Sequence, residues 1–435
     1  MWVWIPRYAY RIHKENGVET QKFDIVFLVG LTDTYYDENG KLQTAQRQTS
    51  EDQTIVTNGD TYTVHPAFTN ESSINYANGG WDAELAGIWV AKFEAGYASG
   101  NNSATVKASS VNYSEGTAYV PAVETGTTTP TTTTTARNWL DGEYSIKNST
   151  TYEWKDGKET AIKYPTFQGL TYSMNYINHN DAYRISKVLT ESGNIYGLNS
   201  SSTDSHLMKN SEWVAVSYLS QSKYGLDGTN IVINSVYLNN TTKSVYAVTG
   251  CASSTADASA VSTTIGALNN RTQSSVYVWT QKNGTVASST GTIYGIYDMS
   301  GGISERTSSL INNKNNNLKT YGSQIIADLN NGKSTKYITI YPTGETLGQT
   351  MAQASQANYT NNTKIYGDAI KETSTLGTGN NSWYSDCSDF VGLSTPFFLH
   401  GGYYGGTSIS GCFAFGRTSG NGSYYRGFRS VLVSL

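Results

Sequence analysis

Short runs of aromatic and β-branched residues, separated by polar turns, set the pattern of this chain. Trp2-Val3-Trp4-Ile5 and Phe23-Asp24-Ile25-Val26-Phe27-Leu28 read as strands on either side of a polar turn near Asn16-Gly17, and are expected to pair. Tyr62 to Phe68 is a short extended piece, and Leu85 to Glu94 is the next strand. A helix follows, capped by Asn178 or Asn180, with Ala182, Ile185, Val188 and Leu189 on one face and Gly193 past its end. A second helix runs from about Asn210 to Ser222 around Glu212 and Trp213. Asn230 to Ile233, Val245 to Val248 and Val276 to Trp279 read as strands, and Ile293 to Gly302 as a tight segment. Two helices among many strands indicate an α+β domain.

Two segments break this pattern. Residues 99–163 carry a threonine run from Thr125 to Thr135 and read as an exposed insertion, and residues 308–383 are Asn/Lys/Thr-rich and read as a long loop insertion. The whole chain, 1–435, is taken as one domain that carries these insertions and is closed by the stretch 396–435.

That last stretch is unlike the others. Between His400 and Arg429 it consists almost wholly of Gly, Ser, Thr, Tyr and Asn, with Phe413, Phe415 and Phe428 between them. Tyrosine gives stiff amphipathic contact area, and Ser, Gly and Asn give adaptable hydrogen bonds, which is the composition of a paratope. A Gly/Ser-rich loop with structural aromatics has the same composition. In Gly411 to Arg417 alternation places Phe413 and Phe415 on one inward face, with Cys412, Ala414 and Gly416 opposite. The run Phe428 to Val433 is apolar enough for a central strand.

Composition narrows the partners. Lys+Arg 30 against Asp+Glu 34 supplies no field for nucleic acid or an acidic membrane, and no apolar run reaches spanning length. The chain holds 42 glycines and 33 tyrosines, which suits a β-rich, loop-heavy protein displayed outside a cell or on a virion. Cys251, Cys387 and Cys412 allow at most one disulfide, and the five histidines show no zinc spacing. Met1 to Arg7 lacks the features of a signal peptide, so export relies on a segment outside this sequence, on assembly into a larger particle or on lysis.

Four stretches, in order, carry a resemblance. Asn180-Asp181-Ala182-Tyr183 falls on the first helix. Leu207-Met208-Lys209-Asn210-Ser211-Glu212-Trp213 stands for Leu-Pro-Thr-Glu-Ala-Glu-Trp, and Tyr294-Gly295-Ile296-Tyr297-Asp298-Met299-Ser300-Gly301 stands for Gly-Leu-Tyr-Asp-Met-x-Gly-Asn. Gly401-Gly402 to Phe428-Arg429 stands for a terminal Arg-Gly-Gly-Ser to Gly-Phe-Arg. The chain thereby resembles the formylglycine-generating-enzyme, or sulfatase-modifying-factor, type of domain, a variant of the C-type lectin fold. More narrowly it is similar to variable proteins diversified by retroelements in bacteria and their phages.

The resemblance implies a changeable ligand-binding face at Tyr403, Tyr404, Gly405, Gly406, Ser408, Ile409, Cys412, Ala414, Gly416, Arg417, Ser419, Asn421, Ser423, Tyr425 and Arg426. It implies a scaffold at Gly401, Gly402, Gly411, Phe413, Phe415, Phe428 and Arg429. It also implies a structural calcium loop at Asp298, Gly301, Ile303 and Glu305, although a turn aspartate followed by a solvated glutamate accounts for the same residues. Arg429 reads as a buried guanidinium bonded to loop carbonyls. The enzymes of the family hold copper with two cysteines after the Gly-Gly; here only Cys412 stands near the second position. The expected function is therefore non-enzymatic binding of a protein or glycan target on a cell surface, as an adhesin or receptor-binding protein, by a homo-oligomer or part of a larger particle. The alternatives are a structural decoration protein of a virion or pilus and a copper-dependent oxidase.

Overall fold

The computed structural model describes residues 1–47, 54–70, 79–97, 143–148, 151–155, 165–175, 177–190, 194, 196–240, 244–253, 276–313, 315–330, 335–341, 355–364 and 366–435. These form a mixed α+β structure in which sheets predominate. Of the insertion at 99–163, most lies outside the described residues; Glu143–Asn148 and Thr151–Lys155 form an antiparallel hairpin within it.

One sheet has the order Trp2–Pro6, Gly87–Ala91, Ser430–Ser434, Thr203–Leu207, all antiparallel. The apolar run Val431-Leu432-Val433 is buried and central, as its composition requires. Trp2–Pro6 pairs with Gly87–Ala91 and not with the segment around Phe23, which corrects the expected pairing. The reason is the turn itself. Asn16 (φ 52°) and Gly17 (φ 80°) both have positive φ, the type I′ condition, and such a two-residue turn joins only its immediate flanks, here Tyr8–Glu15 and Val18–Phe27.

Helix α1, His179–Lys187, starts where Asn178 Oδ1 accepts the Asp181 backbone N–H at 2.9 Å. Asn178→Ala should cost about 1 kcal/mol, read as a lower urea midpoint; an unchanged midpoint would show that this cap is dispensable. Helix α2, Asn210–Ser220, is buried along most of its length. Its Glu212 accepts the Lys209 backbone N–H at 2.8 Å and contacts His206 Nε2 at 2.9 Å. The Trp213 indole N–H and the Ser217 hydroxyl both donate to the Cys412 carbonyl, at 2.9 and 3.0 Å, so this helix props the C-terminal loop from below.

A second sheet is centred on Ser304–Leu310. It pairs antiparallel with Phe397–His400 and parallel with Arg426–Phe428 and Thr339–Ile340, and Phe415–Thr418 lies beyond Phe397–His400. Every residue of Ser304–Leu310 is buried although all but Leu310 are polar or charged. Asn210 serves it from α2, accepting from the Thr307 hydroxyl at 2.6 Å and donating its backbone N–H to Ser309 Oγ at 3.0 Å.

The expected loop at 308–383 is corrected in its described parts. It includes the end of that strand, helices Asn316–Tyr321, Ser323–Asn330 and Ser355–Asn361, and the strand Thr339–Ile340. Leu318 and Ile325 tie the first two of these helices into the main core with Ile338 and Ile340, and Tyr359 ties the third to Phe390 and Phe398. The expected strand at Asn230–Ile233 is irregular, because only Asn234 bridges, to Gly301. Among the described residues no helix is long and apolar enough to cross a membrane.

Candidate functional site

Two loops of the C-terminal stretch are tied to one buried segment. After Phe397–His400 the chain turns through Gly401 (φ 84°) and Gly402 (φ 69°), a backbone region that L side chains avoid. A Cβ on Gly402 would also strike the Ser410 side chain, which closes the loop by accepting the Tyr403 N–H at 3.1 Å and donating to the Tyr403 carbonyl at 3.0 Å. The Tyr404 N–H donates to the Gly302 carbonyl at 2.8 Å, and the Ser304 N–H donates to the Tyr425 carbonyl at 2.9 Å. Loops 403–410 and 419–425 therefore hang on opposite sides of Gly302–Ser304.

This stitching brings tyrosines together. The Tyr403 and Tyr425 rings lie 5.0 Å apart, Tyr424 meets Tyr425 at 4.9 Å, and the Arg426 guanidinium sits 5.0 Å over the Tyr425 ring. Arg426 Nη1 donates to Asn421 Oδ1 at 2.8 Å, which also accepts from the Ser419 hydroxyl at 2.8 Å. Tyr403, Ser419, Asn421, Ser423, Tyr425 and Arg426 are half-buried, and Tyr424 is 40% exposed. Gly405 and Gly406 lie against Tyr403: a Cβ on Gly405 would fall 2.8 Å from its ring, so these glycines let the ring rest on the loop backbone.

The remaining expected positions fall differently. Ser408 is exposed and Ile409 half-buried on the short turn Thr407–Ile409; Gly416 and Arg417 lie on the strand Phe415–Thr418, where Arg417 pairs with Asp389 at 2.9 Å. Three expected surface residues are interior. Tyr404 is 6% exposed and stacks on Tyr237 at 4.4 Å, while Cys412 and Ala414 are buried. Tyr404 is held inside by Tyr237, while for Cys412 and Ala414 the cause is that Gly411 to Phe413 is a turn and not extended chain, so alternation fails there. Phe413 packs among Phe23, Tyr218 and Trp383, whereas Phe415 joins the separate cluster of Phe390 and Phe398. Burial pushes the Cys412 thiol well above its ordinary range. Tyr424 and Tyr237 belong to the aromatic group without having been marked by sequence; the first was signalled by the Tyr424-Tyr425 pair, the second, on a distant hairpin, by nothing local.

Beneath Gly302–Ser304 lies a buried acid–arginine cluster. Arg429 donates through Nε to Glu305 at 2.7 Å and through Nη2 to its other oxygen, and reaches the Ala91 and Tyr297 carbonyls at 3.2 and 2.9 Å. Asp298 accepts the Gly250 N–H and Asn234 Nδ2, each at 2.9 Å. Glu94 accepts the Ile303 N–H at 3.0 Å and the Ser173 hydroxyl. Burial, and then the charges of Asp298 and Glu305, raise the Glu94 carboxyl well above the usual range. Burial also raises Glu305, against the pull of the two-point guanidinium contact from Arg429. The set Asp298, Gly301, Ile303 and Glu305 does not fit calcium. Its two carboxylates are turned onto Arg429, Asn234 and Gly250, and a guanidinium already supplies the local positive charge, whereas Ca²⁺ takes six to eight oxygens directed at itself.

No family model matches the chain, and a search of curated proteins finds no match.

Proposed function

We propose that this is a non-enzymatic recognition protein, an adhesin or receptor-binding protein built on a C-type-lectin-like framework. It is displayed on a bacterial surface or a phage virion and binds a protein target, or a glycan, through the tyrosine face. The observation that supports this most is the joining of Tyr403, Tyr424, Tyr425 and Arg426 on two loops that share the buried segment Gly302–Ser304. A rigid base under aromatic and arginine side chains provides preorganisation, and Tyr and Arg are the residue types that dominate binding hot spots.

The test is a triple variant, Tyr403→Ala, Tyr424→Ala, Tyr425→Ala, assayed for saturable binding to intact bacterial cells. Affinity should fall at least about 100-fold, since each anchor is worth about 2 kcal/mol or more and such losses do not add fully. The melting temperature should stay close to wild type, whereas Tyr404→Ala should lower it. A triple variant that binds normally, or one that unfolds like a core mutant, would refute the proposal; a wild-type protein with no saturable target would instead indicate a decoration protein.

A further inference from the structure

Three arginines are among the largest wholly buried side chains, and two of them are neutralised. Arg7 meets Glu84 at 2.6 Å and Asp33 at 3.3 Å, and Arg429 meets Glu305. Arg306 is different. Its Nε donates to the Ile177 carbonyl at 3.1 Å and its Nη2 to the Asn421 carbonyl, while its Nη1 is buried without a partner. A guanidinium stays protonated in a protein, and a buried charge with no counter-charge is strongly destabilising.

A second arginine stands beside it. Ser304–Leu310 and Arg426–Phe428 run parallel with Ser304 opposite Arg426 and Arg306 opposite Phe428, which makes Arg306 and Arg426 diagonal neighbours on one face. Arg426 bonds Asn421 Oδ1 and, at 3.3 Å, the Tyr425 hydroxyl, and its Nε is buried without a partner. Burial and the charge of Arg426 both push the Arg306 guanidinium down. Asp181 at the start of α1 acts on it in the opposite sense, but that carboxylate accepts Asn178 Nδ2 at 2.9 Å and makes no ion pair with Arg306. Among the described residues no carboxylate lies within ion-pair distance of either guanidinium.

We infer that Arg426, with the wholly buried charge of Arg306 behind it, forms an anion-binding site at the edge of the tyrosine face, which takes a carboxylate from an acidic peptide segment of the partner. Asn421 marks where an oxygen of the carboxylate would sit: its side-chain oxygen caps Arg426, a neutral group where a carboxylate would bring charge, while its backbone oxygen holds Arg306 in the interior. The Tyr425 ring under Arg426 holds the fork in place. Planar guanidinium forks match carboxylates in two-point contacts, and the Tyr/Arg pairing is that of a protein hot spot, which favours a peptide acid. The inference rests on the recognition reading above.

The experiment follows the arginine Nε–H NMR signals of the whole protein while N-acetylaspartate is added at low salt. A saturable shift of the Arg426 signal is expected, absent with N-acetylasparagine, weakened at high salt and lost in Arg426→Gln, whose melting temperature checks that it folds. No saturation with N-acetylaspartate, inorganic phosphate or glucuronate overturns the site. Saturation with glucuronate or phosphate but not with N-acetylaspartate overturns the peptide assignment. If Arg426→Gln binds cells as tightly as wild type, the site's role falls and the tyrosine reading stands. If wild type binds the probe but no cell, the tyrosine reading falls and the anion site stands.

Discussion

Arg429→Met is expected to destabilise the protein by about 3–5 kcal/mol, the cost of breaking a buried ion pair from one side. Arg429 is wholly buried, and its removal leaves Glu305 with no cation, close to Asp298 and Glu94. It also frees the Ala91 and Tyr297 carbonyls, which link the first sheet to the segment before Gly301. The Ile303 N–H is held by Glu94 and the same segment carries both tyrosine loops, so the damage should reach the surface. Urea unfolding followed by tryptophan fluorescence is the measurement; the guanidinium lies 5.4 Å from the Trp213 ring. Arg429→Lys should recover part of the loss, since it restores charge but not the two-point contact. A midpoint for Arg429→Met equal to wild type would mean that the cluster does not hold this part of the fold together.

The stability of Asp386→Asn relative to wild type should rise as pH increases from about 5 to about 9. Asp386 is buried; one oxygen accepts the Phe413 N–H at 3.0 Å and the other is buried without a partner. Burial pushes this carboxyl from 3.8 up to about 7, against the pull of the Phe413 and Ala414 N–H groups. A carboxyl whose folded pKa is raised contributes its stability below the unfolded value and loses it as pH climbs through the folded one. From about pH 5 to about pH 9 the loss is on the order of 3 kcal/mol. Glu372, pushed up to about 7 by burial, adds to the slope in both proteins and cancels in the comparison. The variant's urea midpoint should therefore climb relative to that of wild type between about pH 5 and about pH 9. Parallel curves across that range would rule out a neutral Asp386 in the fold.

Several elements could be read from local chemistry. The Asn16-Gly17 turn, the Asn178 cap, the buried helix Asn210–Ser220 and the apolar strand Ser430–Ser434 each carry their instruction within a few residues. The strand Ser304–Leu310 could not be read. Its Ser-Glu-Arg-Thr-Ser-Ser has the composition of a solvated loop, and it is buried because Asn210, Arg429, Ile177 and Asn421, all distant in the chain, meet its polar groups.

The same division runs through the candidate site. Sequence by itself determined that the C-terminal stretch is rich in tyrosine and glycine. Only the tertiary structure decided which tyrosines face out. Tyr403 and Tyr425 meet across two loops, and Tyr404 is drawn inward by Tyr237, a residue 167 positions earlier by numbering. It also decided that Arg306 and Arg426 lie side by side, because strand register, which places residue opposite residue, depends on long-range hydrogen bonds and packing that no local window of sequence contains.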